Sequence, residues 1–412
     1  MKRLIVCSVM AGLAIGVAAH LLKTLVRWIS LLCTSGFHAE GGNVALLWVP
    51  VVGIAVTGLL VRYVFRRPLE QSTDQLRADM RAGRADLPSP LIYEPIAAAS
   101  VTLGFGGSAG SEGPIAYAGA AIGSNLGRLF GLTPRPLMLM MTCGAGAGIA
   151  AIFKSPIGGM LFTLEVLGMT LTTPGVMMLL SMCVTASLTA FTLSGYTPDM
   201  ALPHPVDFTS ADLLPTLLLG VVCGLYSAYY KATGTMTRRM LHRIGRPWMQ
   251  WIVSGSMVGV ALYIFPALYG EGYTLMSRVA GGDVGAVLSG MPLAIDRNVM
   301  WAIIGILLAK GIACFASNSG GGVAGDFAPT LFAGCMLGAL FALGGTAIGL
   351  GNFPVANCAL TGMAGVMAGA VGAPWMAIFI TVEMTASYSM LLPASLCALI
   401  SHTIAHRLVH FR

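Results

Sequence analysis

Long apolar runs are the feature that most restricts how this chain can fold. Five of them approach the about 20 apolar residues that an α-helix needs to cross a bilayer, at residues 4–22, 44–61, 213–230, 300–316 and 391–404. Lipid offers the backbone no hydrogen-bond partners, so a spanning segment is a helix or part of a closed barrel. Only 9% of the residues are charged, against about 25% in soluble domains. We therefore predict an all-α, polytopic membrane protein.

The charged residues indicate how the chain is oriented. Residues 231–246 carry five Lys or Arg side chains and no acid, and Lys2 and Arg3 lie at the start. Cytoplasmic segments are enriched in Lys and Arg, so we predict that both termini are cytoplasmic. The opposite linkers hold Asp199, Asp207, Asp212, Glu271, Asp283 and Asp296. No aromatic residues interleave with the basic stretch, which argues against a nucleic-acid partner.

Two Gly-rich segments reveal an internal repeat. Residues 106–114 (Gly-Gly-Ser-Ala-Gly-Ser-Glu-Gly-Pro) match residues 321–329 (Gly-Gly-Val-Ala-Gly-Asp-Phe-Ala-Pro) at five positions, with an offset of 215 residues. Further matches pair Gly119 with Gly334, and residues 156–165 with 374–383. Transporters are often built from duplicated units of opposite topology. We predict two inverted repeats of many tilted helices, at residues 1–210 and 211–412.

The two ends of the sequence are interpreted as membrane helices. Residues 1–19 resemble a signal peptide, but the apolar pattern continues through Leu25, so we predict a retained helix. The last apolar run reaches almost to Arg412. No soluble regulatory domain is therefore expected.

The nine cysteines are scattered singly through apolar stretches. No C-x-x-C pair is present, which argues against a metal site or a disulfide framework. We expect them to be small buried hydrophobic residues, and we expect no cofactor.

Each Gly-rich segment predicts a helix that begins inside the membrane. Glycines followed by a proline are typical of a helix start, because proline is tolerated in the first turn and glycine permits close backbone approach. The first-turn N–H groups lack helical partners and carry the positive end of the helix dipole. Such an end binds anions. Two of them, one from each half, predict a shared anion site near the middle of the membrane.

Glu112 is the strongest functional candidate in the first segment. An ionisable residue within an apolar stretch is costly and is functional by default. Its carboxylate can occupy the anion position itself, and protonation or a competing anion would release it, so we predict a gate, a proton carrier, or both. For Asp326, the acidic residue of the second segment, we expect a side chain that turns away from the anion and caps backbone N–H groups.

At these residues the chain resembles the CLC family of chloride channels and chloride/proton antiporters, over about residues 44–393. Residues 110–114 fit the family's G-[KR]-E-G-P, with Ser111 at the basic position, and residues 325–329 fit G-x-F-x-P. The resemblance implies that Glu112 is the gating residue and proton acceptor. It implies that the anion is bound mainly by the backbone amides of Ser111, Gly113, Gly325, Asp326, Phe327 and Ala328.

The same resemblance carries expectations about substrate, assembly and location. It implies chloride as the transported anion and protons as a candidate second substrate. It also implies a homodimer with one pore per subunit, surrounded by lipid in the inner membrane of a bacterium.

Three departures from the family pattern concern the rest of the site. The family's G-S-G-I-P element is replaced by a stretch in which Gln71, Ser72 and Thr73 are the candidate side-chain donors. The family's pore tyrosine has no counterpart, because no Tyr follows Pro393. Proton-coupled members carry an inner glutamate directly after the residue that matches Glu165, and Val166 stands there in this chain. Antiporters without that glutamate exist in the family. The sequence therefore does not decide whether this chain is a channel or an antiporter.

Two alternative functions follow from the sequence. The site could be selective for another anion, such as fluoride or nitrate, because its side-chain donors are the divergent part. An intramembrane serine hydrolase is the remote alternative, since residues 106–110 fit the G-x-S-x-G pattern with Ser108 as nucleophile. Val323 stands at the matching place of the second segment, and no pattern predicts that a histidine converges on Ser108.

Overall fold

Helices make up the described part of the chain. The computed structural model describes residues 2–35, 43–66, 73–198, 200, 209, 212–291, 298–349 and 353–410, and within them it has sixteen α-helices and no strand. The first eight are α1 (Lys2–Thr34), α2 (Ala45–Leu59), α3 (Thr73–Arg81), α4 (Glu94–Gly104), α5 (Glu112–Leu129), α6 (Pro134–Phe153), α7 (Pro156–Leu161) and α8 (Thr173–Leu193). The others are α9 (Leu213–His242), α10 (Pro247–Ile264), α11 (Tyr273–Ala280), α12 (Val299–Ser319), α13 (Phe327–Ala347), α14 (Val355–Val371), α15 (Pro374–Thr385) and α16 (Leu391–His410). The all-α prediction is confirmed.

Eight helical segments among the described residues are long and apolar enough to cross a membrane. They are Lys2–Thr34, Ala45–Phe65, Pro134–Phe153, Thr173–Leu193, Leu213–His242, Val299–Ser319, Phe327–Ala347 and Tyr388–Val409. Each of the five predicted runs overlaps one of them. Large apolar side chains such as Trp28, Trp48 and Leu188 are exposed on these segments, as expected of faces that contact lipid. The chain is therefore a multi-pass membrane protein.

Matched glycines hold equivalent helix pairs together in the two halves. α5 packs against α6, and α13 packs against α14. A Cβ atom at Gly119 would lie 2.3 Å from the carbonyl oxygen of Gly144, and one at Gly334 would lie 2.3 Å from that of Gly362. Small residues allow membrane helices to approach this closely. The glycine matches in the sequence therefore mark the same contact in each half.

Two hydroxyl groups connect each half to the Gly-rich segment of the other. Ser317 Oγ, on α12, accepts a hydrogen bond from the N–H of Ser108 (3.1 Å). Thr102 Oγ1, on α4, accepts one from the N–H of Val323 (3.0 Å). The repeat offset of 215 residues separates Thr102 from Ser317, and it also separates Ser108 from Val323. The contacts are equivalent under the repeat, and each supplies a buried amide with its partner.

Two glutamates cap each other's helices. Glu165 follows α7, and its carboxylate accepts hydrogen bonds at the start of α15 from the N–H of Met376 (2.7 Å) and of Trp375 (3.1 Å). Glu383 lies on α15, and its carboxylate accepts one at the start of α7 from the N–H of Gly158 (3.0 Å). Carboxylates stabilise helix N-termini by pairing with free amides and with the dipole. Glu165 and Glu383 therefore stabilise the starts of α15 and α7 respectively.

The cysteines lie within the helix bundle, as predicted. Eight of the nine are buried, and Cys33 is partly exposed. They fill small spaces between helices. A Cβ atom at Gly365, for example, would clash with both Cys223 and Cys397. This confirms their role as small packing residues.

Candidate anion site

Both Gly-rich segments lead into a helix N-terminus, as the sequence predicts. α5 begins at Glu112 and α13 begins at Phe327, two residues before Pro114 and Pro329 respectively. Proline fits here because a first-turn N–H has no partner within the helix. The first-turn amides and the positive end of each helix dipole therefore face the Gly-rich segments.

The prediction that Asp326 caps α13 with its side chain is wrong. Asp326 is the residue before the helix, but its side chain makes no capping hydrogen bond. A side-chain cap normally needs an extended backbone at this position, whereas Asp326 has φ −119° and ψ 3°. Ser111, which precedes α5, has φ −92° and ψ 1° and likewise makes no such bond. The side chains that precede these two helices do not compete for their first-turn amides.

The two Gly-rich segments meet in an antiparallel bridge between Gly110 and Gly325. The N–H of Gly110 donates to the carbonyl oxygen of Gly325 (2.9 Å), and the N–H of Gly325 donates to that of Gly110 (2.5 Å). These residues are separated by the repeat offset of 215. The bridge brings the N-termini of α5 and α13 together inside the bundle.

The Glu112 carboxylate lies on this bridge and joins the two halves. Its side chain is fully buried, and Oε1 accepts a hydrogen bond from the N–H of Ala328 (2.8 Å). Oε2 is buried and has no hydrogen-bond partner among the described residues. A Cβ atom on Gly110 would lie 2.1 Å from Glu112 Oε2, and a Cβ atom on Gly325 would lie 2.7 Å from it. Both positions are therefore open to the carboxylate only because they are glycine.

The other predicted amide donors have different surroundings. The N–H of Ser111 donates to Glu271 Oε1 (3.0 Å), and that of Gly325 is used in the bridge. The Gly113 nitrogen lies 2.9 Å from the Cβ position of Gly325, and Glu112 Oε2 lies 2.7 Å from the same position, so this amide is close to the carboxylate. The Phe327 ring packs edge-on against Phe162, with 5.9 Å between ring centroids.

The candidate side-chain donors are described only in part. Gln71 and Ser72 lie outside the described residues, and Thr73 begins α3 without a described side chain. Val166, at the place of the family's inner glutamate, is 5% exposed. Its carbonyl oxygen accepts a hydrogen bond from the Arg77 guanidinium. Two parts of the predicted site, the Glu112 carboxylate and the amide of Ala328, are thus in contact. Residues 71–73 remain candidate side-chain donors.

Sequence reasoning missed Lys310, which lies in the middle of α12. Its side chain is fully buried. Its ammonium group donates to Ser108 Oγ (2.9 Å) and lies 4.7 Å from the centroid of the Phe332 ring. Lys310 is close enough to Glu112 to interact with it electrostatically. The signal was available, because a lysine within the apolar run 300–316 meets the rule that singled out Glu112.

Sequence reasoning also missed Glu271, which was assigned to an acidic linker. It lies before α11, and its carboxylate accepts from both the N–H (3.0 Å) and the hydroxyl (2.5 Å) of Ser111. No repeat match or motif includes it. A contact between residues 160 positions apart has no local sequence signal.

Ser108, the remote candidate nucleophile, is fully buried. Its hydroxyl accepts from Lys310, and its amide is held by Ser317. Two histidines, His402 and His406, lie together on α16 with ring centroids 6.0 Å apart. Ser108 is thus bonded to a lysine of the second half and is part of the contact between the halves.

Two helix N-termini that converge on a carboxylate, inside a bundle of membrane-spanning helices, define an anion transport protein. The family described as voltage gated chloride channel matches residues 53–406. The chain belongs to this family, the CLC family. It is a transport protein and not an enzyme.

Similar proteins extend over nearly the whole chain. A putative chloride channel protein, ClcB-like, of Ralstonia nicotianae is 29% identical over 88% of this chain and 82% of its own length. The voltage-gated ClC-type chloride channel ClcB of Shigella flexneri is 29% identical over 99% of this chain and 96% of its own length. Among solved structures, a slow cyanobacterial Cl⁻/H⁺ antiporter has a TM-score of 0.79 at 22% identity, covering 98% of this chain and 95% of its own. A CLC-type fluoride/proton antiporter has a TM-score of 0.77 at 23% identity, covering 98% and 96%. These two structures show that this chain has the same fold as they do.

Proposed function

We propose that this chain transports small anions, chloride first, through a mid-membrane site that the Glu112 carboxylate closes. The observation that carries the proposal is the 2.8 Å hydrogen bond from the N–H of Ala328 to Glu112 Oε1. A carboxylate of one half occupies the helix N-terminus of the other, which is where an anion would bind. Protonation of Glu112, or its displacement by an anion, opens the site.

The donors proposed for the anion are the amides of Gly113, Phe327 and Ala328. Backbone donors bind an anion without a full positive charge in contact with it. Conduction requires release as well as entry, so such weak binding suits transport. Lys310 adds a buried positive charge nearby, which favours anion entry from a distance.

Chloride flux from reconstituted liposomes tests the gate. In the wild-type protein we expect flux to rise as the pH falls, because protonation releases the Glu112 carboxylate. Glu112→Gln should give faster flux that no longer depends on Glu112 protonation. Glu94→Gln is the matched control, since Glu94 is also a buried glutamate at the first position of a helix. Equal flux and equal pH dependence in wild type and Glu112→Gln would contradict the gate.

Proton movement in the same liposomes distinguishes an antiporter from a channel. A chloride gradient is imposed, and internal pH is followed with a fluorescent dye. Uphill proton movement that tracks chloride and is lost in Glu112→Gln defines an antiporter. Chloride flux without a proton signal defines a channel. Parallel vesicles with fluoride, nitrate and bromide rank the anions.

We also propose a homodimer in a bacterial inner membrane, with cytoplasmic termini and two inverted repeats at residues 1–210 and 211–412. Membership of the family supports the dimer, and the bacterial relatives support the location. The basic residues at the end of α9 support the orientation, and the antiparallel Gly110–Gly325 bridge supports the inverted repeats. Mass measurement in detergent and reporter fusions at both termini test these points.

A further inference from the structure

Glu271 is held in place by a loop whose shape requires glycine. Its two neighbours, Gly270 and Gly272, have positive φ angles of +63° and +83°, a backbone region that favours glycine. A Cβ atom at Gly272 would also lie 2.5 Å from the Phe332 ring. The loop therefore packs against α13, the helix that supplies the Ala328 amide. This fixes the direction in which Glu271 leaves the loop.

The Glu271 carboxylate occupies donors that an anion could use. Its Oε1 accepts from the Ser111 N–H at 3.0 Å and from the Ser111 hydroxyl at 2.5 Å. Ser111 is 1% exposed and directly precedes α5, so the positive end of the α5 dipole adds to these two donors. Two donors and a helix N-terminus form an anion position. Glu271 fills it as Glu112 fills the position at Ala328.

Two carboxylates and one ammonium group interact around this position. Glu112 and Glu271 are close enough to repel each other, while the fully buried Lys310 interacts electrostatically with both. The buried Oε2 of Glu112 has no partner among the described residues. When both carboxyl groups are ionised, an entering anion is repelled by both of them. Entry is therefore easiest when a carboxyl group is protonated or moves away.

Three further charged groups lie on the described elements around the loop. On α1, the Lys23 ammonium lies 5.4 Å from the centroid of the Tyr273 ring. On α11, Arg278 is paired with Asp283 at 2.8 Å. Asp326, before α13, interacts with Glu112 as a like charge. Glu271 is only partly buried, whereas Glu112 is fully buried, so Glu271 is the one nearer the protein surface.

We propose that the Ser111 N–H and hydroxyl form a second position for a small monovalent anion, and that Glu271 is the carboxylate that closes it. The proposal rests on the gating role proposed above for Glu112. An anion that reaches Ser111 displaces Glu271 and then Glu112, so the two carboxylates act in series. Protonation of Glu271 has the same effect as its displacement.

Chloride flux in a Glu112→Gln background tests Glu271 separately. Flux is measured from about pH 4.5 to about pH 8, the range in which a perturbed carboxyl group titrates. Glu112→Gln alone should still lose flux as the pH rises, because Glu271 ionises and closes the Ser111 position. The double variant Glu112→Gln/Glu271→Gln should give flux that is high and flat. Glu112→Gln/Asp283→Asn is the matched control and should keep the slope.

Each outcome decides one of the two proposals. If the double variant keeps the slope of Glu112→Gln, the dependence comes from another group, such as Lys310, and the role of Glu271 is overturned. If Glu112→Gln behaves as wild type at every pH, the Glu112 gate fails instead.

Chloride binding to purified protein in detergent gives a second readout that does not depend on flux. Glu112→Gln/Glu271→Ala should bind one more chloride per subunit than Glu112→Gln, because the Ser111 donors are freed. An unchanged stoichiometry overturns the proposal. Should the Glu271 variants not fold, Ser111→Ala in the Glu112→Gln background removes the 2.5 Å bond and should flatten the pH slope. An unchanged slope overturns the proposal in that case.

Discussion

The Lys310 ammonium donates a 2.9 Å hydrogen bond to the Ser108 hydroxyl, and both side chains are fully buried. A buried charge is costly unless other groups compensate for it. The Phe332 ring face, 4.7 Å away, and the Glu112 carboxylate supply such compensation. Lys310 is thus a fixed positive charge beside the anion site. It does not replace the backbone donors.

Removing this charge should weaken anion binding. For charges about 10 Å apart at an effective dielectric of about 20, Coulomb's law gives about 1.7 kcal/mol, roughly a 16-fold change in affinity. We therefore expect Lys310→Met to raise the half-saturating chloride concentration by roughly 10- to 20-fold. Calorimetric titration of purified protein measures it. Lys154→Met, at the exposed end of α6, should bind as wild type, and equal affinity in the two variants would contradict the role of Lys310.

The Ser108–Lys310 bond should be detectable as a coupling in stability. Ser108→Ala removes the acceptor of a buried ammonium group, which costs about 1–3 kcal/mol. In a Lys310→Met background the same substitution should cost little, because no ammonium group is left without its acceptor. Thermal unfolding of the four proteins in detergent gives the coupling. Additive losses would show that the bond contributes nothing, and chloride flux should persist in Ser108→Ala throughout.

The repeat made the scaffold predictable from the sequence. The two helix starts, the bridge between Gly110 and Gly325 and the packing at Gly119 and Gly334 all fall on matched positions. Equivalent residues have equivalent surroundings in both halves, so a match in the sequence predicts a match in packing. Glycine and proline carry most of this signal because they restrict the backbone directly.

The side chains that differ between the halves were less predictable. At the repeat offset, Glu112 corresponds to Phe327, Lys310 to Pro95 and Glu271 to Val56. Glu112 could be found because it is an ionisable residue within the Gly-rich motif, and Lys310 because it is an ionisable residue within an apolar run. Glu271 could not, because its function depends on a long-range contact with Ser111. The Asp326 prediction failed because a side-chain cap depends on backbone angles that the sequence does not specify.

Gly110 should be required for the anion as well as for the gate. A Cβ atom there would lie 2.1 Å from Glu112 Oε2, which is where the transported anion is proposed to bind. Gly110→Ala should therefore reduce chloride flux even in a Glu112→Gln background, where the gate is already open. Gly344→Ala is the control, since its Cβ would lie 3.8 Å from the nearest atom, on Met300. Flux equal to that of Glu112→Gln alone would show that the methyl group lies outside the anion path.

The reciprocal caps of Glu165 and Glu383 should support the fold without taking part in transport. Losing an N-terminal cap costs about 1 kcal/mol, so Glu165→Gln and Glu383→Gln should each lower the unfolding temperature in detergent. The double variant should deviate from additivity, because each glutamate belongs to the helix segment that the other one caps. Asp86→Asn, in an exposed ion pair with Arg128, should change stability little. Chloride flux and any proton movement should persist in both single variants. Loss of proton movement in Glu165→Gln, with chloride flux intact, would instead place Glu165 on a proton path beside Val166.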